Sequence, residues 1–259
     1  MNKLYTKSEI WFAITWIIIY IVGTIICDNV ALALKITNFF TPVFYVALCV
    51  VLLIWIVKNK LNNTFGLCKS QFSAKYFLFF IPLLVLISIN LWFGVKLDTN
   101  FIDSLMFIIT MLCVGFLEEI IFRGFLFNAM KKDSLKWAII VSSLTFGIGH
   151  IINLFTSNAD ILATILQICY ATTTGFLFVV IFYKGKTLLP CIITHSLFNA
   201  LSLFAVEVKT TINIIISVVI MVLTTTYAIV LLKIMPKQEP LTTQPDNTNQ
   251  QSKKELENS

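Results

Sequence analysis

Long apolar runs alternate with short polar ones along nearly the whole chain. The runs cover roughly 10–27, 39–57, 76–94, 101–130, 137–155, 159–183, 187–206 and 210–234. Each is long enough, as a helix, to cross a hydrocarbon core of about 30 Å. The fifth run is interrupted by GIGH at 147–150, and the seventh contains Pro190 and His195. The stretch 58–75 (KNKLNNTFGLCKSQFSAK) is a polar connector. Residues 235–259 lack aromatics and are rich in Gln, Asn, Thr and Pro. Such a segment cannot bury enough apolar surface to fold, which predicts a disordered polar tail. The pattern therefore predicts an all-α polytopic membrane protein of about eight transmembrane helices. It forms one transmembrane domain over 1–234, and its polar residues concentrate in a core at 101–206. No internal repeat is visible.

Charge sets the expected orientation. With the N-terminus inside, the inner segments hold fifteen lysines: Lys3, Lys7, Lys58, Lys60, Lys69, Lys75, Lys131, Lys132, Lys136, Lys184, Lys186, Lys233, Lys237, Lys253 and Lys254. The outer ones hold Lys35, Lys96 and Lys209. This positive-inside bias predicts a multi-pass integral membrane protein with both termini, and hence the tail, cytoplasmic. In a prokaryote the membrane is the plasma membrane. The bias also accounts for the net charge of +6 without nucleic acid as a partner. Composition agrees: 58% of residues are apolar and 12% charged, against about 45–50% and 25% in soluble domains. The run from Ile10 to Cys27 is long enough to span and no A-x-A-like site follows it, so it reads as an uncleaved first span. The six cysteines show no CxxC pair and read as small apolar filler.

Against this background the polar residues inside the runs stand out, because a charge near a helix centre costs about 2.5–3.5 kcal/mol on insertion scales. EEIIFRGF at 118–125 carries three. Glu119 and Arg123 are four apart and share a helix face, so they can pair. Glu118 points about 100° away and has no partner on its own helix. Both histidines of the chain also lie in apolar runs. His150 ends FGIGH, where Gly147 and Gly149 would let another backbone approach. His195 is four before Asn199, which puts imidazole and amide on one face. Rise per residue places Glu118 about 18 Å above Met130, His150 about 20 Å beyond Trp137, and His195 and Asn199 about 12 and 18 Å beyond Thr187. Three runs thus bring polar groups to one layer, slightly towards the cytoplasm, so an opening on that side is expected.

EEIIFR resembles the EExxxR motif of the CAAX proteases and bacteriocin-processing enzymes, the CPBP or Abi family. Phe146 and His150 match its FxxxH motif, and His195 and Asn199 its HxxxN motif, in the family's order. The resemblance implies an eight-helix intramembrane protease like the type II CAAX prenyl endopeptidases, with some bacterial relatives tied to bacteriocin processing or immunity. It implies that Glu118 and His150 activate water, that His195 and Asn199 stabilise the oxyanion, and that Glu119 and Arg123 support them.

Chemistry admits this reading. An unpaired carboxylate can serve as base and then acid, and imidazole and amide groups can donate to an oxyanion. The expected substrate is a membrane-associated or lipidated peptide or protein in the lipid bilayer. A metal-free mechanism needs no cofactor. In the alternative, Glu118, His150 and His195 are three ligands suited to a catalytic Zn²⁺ with water at the fourth position, although HExxH spacing is absent. Two other functions fit buried polar groups: a proton-coupled transporter, and a non-catalytic membrane immunity or scaffold protein of the same fold. A transporter would be expected to show inverted repeats and paired broken helices, and neither is visible in the sequence.

Overall fold

A computed structural model describes residues 1–36, 39–98, 100–156 and 160–236. The tail from residue 237 onwards lies outside the described residues. The chain is an all-α integral membrane protein; among the described residues the one β-type contact is an isolated bridge between Val95 and Ala205. A short helix, α1 (Asn2–Lys7), precedes α2 (Glu9–Leu34) and α3 (Phe40–Lys58). The third span is broken. A 3₁₀ segment (Ala74–Phe80) leads into α4 (Ile81–Ser88), and a further 3₁₀ turn (Ile89–Leu91) follows. Next come α5 (Phe101–Glu118), α6 (Leu135–Gly149), α7 (Ile161–Gly185), α8 (Leu189–Leu201) and α9 (Thr210–Ile234).

Local chemistry explains the helix starts. Ser8, Asn100, Ser134 and Asp160 each accept a hydrogen bond from a backbone N–H of the first turn that follows, satisfying donors that a helix start otherwise leaves open. The break before α4 has two causes. Leu78, Phe79 and Phe80 adopt left-handed backbone angles, and Pro82 sits in the first turn of α4, where a missing N–H costs nothing. The Phe77 carbonyl freed by the break accepts a hydrogen bond from Tyr227 Oη at 2.6 Å, so no buried acceptor is stranded.

Among the described residues seven helical segments are long and apolar enough to cross a membrane; the eighth, Leu189–Phe204, is shorter. Eight full spans were expected, and the difference lies there. The short segment nevertheless runs from one end of the bundle to the other. At its start Leu188 N donates to Gly66 O at 2.8 Å, and past its end Lys96 N donates to Phe204 O at 2.9 Å. Contacts also gather the lysine-rich loops at one end: Lys132 pairs with Glu9 at 2.6 Å, and Thr187 Oγ1 donates to Cys68 O at 2.6 Å. Tyr5, Phe12, Trp55, Phe65 and Phe125 pack there as an aromatic cluster. Elsewhere the outer surface is apolar, as lipid contact requires; Ile18, Val22, Leu84 and Val222 all point outwards.

All six cysteines are free thiols. Burial pushes the Cys68 thiol, outside the spans, above its ordinary range, which keeps it a poor nucleophile.

Candidate active site

The EEIIFRGF stretch departs from α-geometry. After Glu118, α5 continues as a π-helix from Glu119 to Phe127, then closes with a short α-turn, Asn128–Met130. All nine π-helical residues are buried. The wider turn leaves backbone groups to be met from outside, and Ser142 Oγ on α6 donates to Phe122 O at 2.9 Å. Inserted side chains of this kind accompany π-segments, which often mark functional sites.

Inside this stretch Arg123 Nη1 donates to Glu119 Oε1 at 3.0 Å, with both side chains at 0% exposure. This is the pairing that i,i+4 spacing predicted. The guanidinium also lies over the Phe146 ring at 4.0 Å, with Phe178 at 5.7 Å. Its Nε and Nη2 find no hydrogen-bond partner in the protein, so the aromatic faces take the place of further acceptors. A Cβ at Gly175 would stand 2.9 Å from Nη2, so glycine makes the room that the guanidinium occupies. Phe146, the first residue of the FxxxH pattern, thus clamps the arginine, and its ring meets the edges of both histidines.

His195 joins the two glutamates. Its Nδ1 is 3.0 Å from Glu119 Oε1, and its Nε2 is 3.6 Å from Glu118 Oε2. An ionised Glu119 can only accept, so Nδ1 carries the proton towards it. Close helix packing makes this reach possible. A Cβ at Gly115 would fall 2.6 Å from the Ser196 backbone nitrogen, so only glycine lets α8 approach α5 so closely. Gly147 plays the same part between α6 and α7, where a Cβ would meet Ile168 O at 2.8 Å. Gly149 faces open space, contrary to the expectation that both glycines admit a neighbour.

His150 caps the C-terminus of α6, and its Nδ1 lies 3.0 Å from Phe146 O. It shares a cavity with His195, Asn199, Thr194, Gln167 and Tyr170. Glu118 meets His195 from the side of α2, where Tyr20 Oη donates to Glu118 Oε1 at 2.8 Å. Among the described residues no hydrogen bond or ion pair joins Glu118 directly to His150.

Two cavities reach towards the side opposite the lysine-rich loops, whereas helix depth and the lysine bias predicted an opening on the lysine-rich side. Gln167, Tyr170, Phe198 and Asn199 belong to the halves of their helices away from the lysine-rich loops. A second cavity of about 430 Å³, beneath Ala205–Val208, shares Tyr170 and Phe198 with the first. Phe146 and Phe178 wall the first cavity, and the π-helix beside them is buried along its whole length. Sequence depth alone missed this, because it locates side chains and not voids. It also missed Tyr20, Gln167, Tyr170 and Thr174. The last three sit at i, i+3 and i+7 in an apolar helix, a legible stripe; Tyr20 gave no signal beyond a hydroxyl four residues before Thr24.

The zinc alternative requires Glu118, His150 and His195 to converge. Among the described residues no three His, Cys, Asp or Glu side chains gather as a metal-binding group. As placed here, these donors do not fit that ion.

A bundle of membrane-crossing helices around a buried carboxylate–imidazole–carboxylate cluster defines a polytopic membrane protein with an intramembrane polar site. Residues 100–201 match the family described as Type II CAAX prenyl endopeptidase Rce1-like, the kind of protease that the three motifs resembled, and the match encloses all three. Neither the curated proteins nor the solved structures gave a match.

Proposed function

We propose that the protein is an intramembrane endopeptidase that hydrolyses a peptide bond in a membrane-associated or lipidated peptide. The supporting observation is His195, held by Glu119 at one ring nitrogen, facing Glu118 Oε2 with the other, and lining a cavity with His150 and Asn199. In the proposed reaction Glu118 takes a proton from water as the water oxygen adds to the carbonyl carbon, and His150 orients that water. Asn199 donates to the oxyanion. With Nδ1 committed to Glu119, His195 Nε2 donates beside it when the ring carries both protons; in the neutral ring it accepts from water instead. Glu118 then passes its proton to the departing amine as the C–N bond breaks. Glu119 and Arg123 hold the imidazole.

The test is cleavage by the purified protein of farnesylated CAAX-type peptides beside unprenylated hydrophobic ones, read by mass spectrometry. Cleavage should fall by about 100-fold or more in Glu118→Gln, in the range that loss of a general base or an oxyanion donor produces. Activity should survive a strong chelator. No cleavage by the wild type, or equal cleavage by Glu118→Gln, defeats the proposal; chelator loss restored by zinc would replace its mechanism.

A further inference from the structure

Tyr20 lies on α2, outside the matched residues 100–201, yet its hydroxyl donates to Glu118 Oε1 at 2.8 Å. The tyrosine is itself held. Its ring stacks on Tyr45 of α3, with centroids 5.4 Å apart and planes at 29°. Thr24 Oγ1 donates to the Tyr20 carbonyl at 2.7 Å and shares a hydrogen bond with Tyr45 Oη at 2.9 Å.

The two oxygens of Glu118 are therefore not equivalent. Oε1 is taken by Tyr20; Oε2 is buried, has no hydrogen-bond partner in the protein and lies 3.6 Å from His195 Nε2. The terminal torsion of a glutamate is broad, so a carboxylate without such a bond is free to turn its plane away from His195. The Tyr20 bond removes that freedom.

We infer that Tyr20 is a positioning residue for the reaction. By holding Oε1 it presents Oε2 to His195 as the oxygen that takes the proton from water. This rests on the endopeptidase reading, and it makes α2 and α3 part of the catalytic apparatus rather than its packing.

The test compares Tyr20→Phe with Glu118→Gln and with Tyr227→Phe, which removes a buried hydroxyl bond of 2.6 Å made to Phe77 O and not to Glu118. The infrared carboxyl band that disappears in Glu118→Gln belongs to Glu118. It should shift in Tyr20→Phe and stay in place in Tyr227→Phe, whatever the substrate. On a cleaved peptide, kcat should fall about 10–100-fold in Tyr20→Phe with KM within about twofold, as misplacement of a reacting group produces. A Glu118 band unmoved in Tyr20→Phe overturns the contact. A moved band with unchanged kcat overturns the positioning role, and so does an equal loss of kcat in Tyr227→Phe. Failure of the underlying reading looks different: the wild type cleaves nothing, or Glu118→Gln cleaves normally, and Tyr20 then positions nothing in a reaction.

Discussion

Side by side in sequence, Glu118 and Glu119 have different surroundings. Glu119 shares one oxygen between Arg123 and His195 in full burial. Removing one partner of such a pair strands the other charge, at about 3–5 kcal/mol. Arg123→Leu and Glu119→Gln should therefore lower the thermal unfolding midpoint clearly, and Glu118→Gln much less. Arg123→Lys should rescue only in part, because an ammonium lacks the planar, weakly hydrated surface that a guanidinium offers to the rings of Phe146 and Phe178. Equal midpoints across the three loss variants would refute this division. The Glu119–Arg123 pair was legible because both partners sit one turn apart on one chain segment. Tyr20 as partner of Glu118 was not, since nothing local ties it to a residue 98 positions away.

Among the elements, most apolar spans were readable to within a few residues from hydrophobic length, but the first helix runs on to Leu34, seven residues past the read end at 27, and the third span is broken. The π-helix was not legible. A run of buried residues reads the same at either helical pitch, and the pitch here is tied to Ser142 on a neighbouring helix. The break before α4 had a local sign in Pro82, but the matching acceptor bond from Tyr227 came from far along the chain. Glycine contacts decide how tightly α8 seats. Gly115→Val should push α8 away from α5, because its Cβ alone would collide with the Ser196 backbone. Gly149→Val, which meets nothing within 4 Å, should be well tolerated. Overpacking of this kind typically costs about 1–3 kcal/mol. Thermal unfolding and peptide cleavage measured together should both suffer in Gly115→Val; full activity there would contradict the seating role.

For the whole molecule, the lysine bias predicts an orientation and the cavities mark a side. Two cavities reach towards the end opposite the lysine-rich loops, so if those loops are cytoplasmic, as the bias predicts, an aqueous reagent should reach the larger cavity from outside. In a cysteine-free background, Asn213→Cys in the larger cavity should react with a membrane-impermeant thiol reagent applied to intact cells, and Lys132→Cys should not. The reverse pattern would invert the molecule. The short eighth segment adds a demand on the lipid itself. Thirteen α-helical residues and the 3₁₀ turn Ser202–Phe204 give about 25 Å of rise, short of a hydrocarbon core of about 30 Å. Mismatch of this kind is met by thinning the bilayer beside the helix. A bilayer thinned beside this segment would leave a scissile bond anchored at the lipid surface less depth to descend before it meets His195 and Asn199.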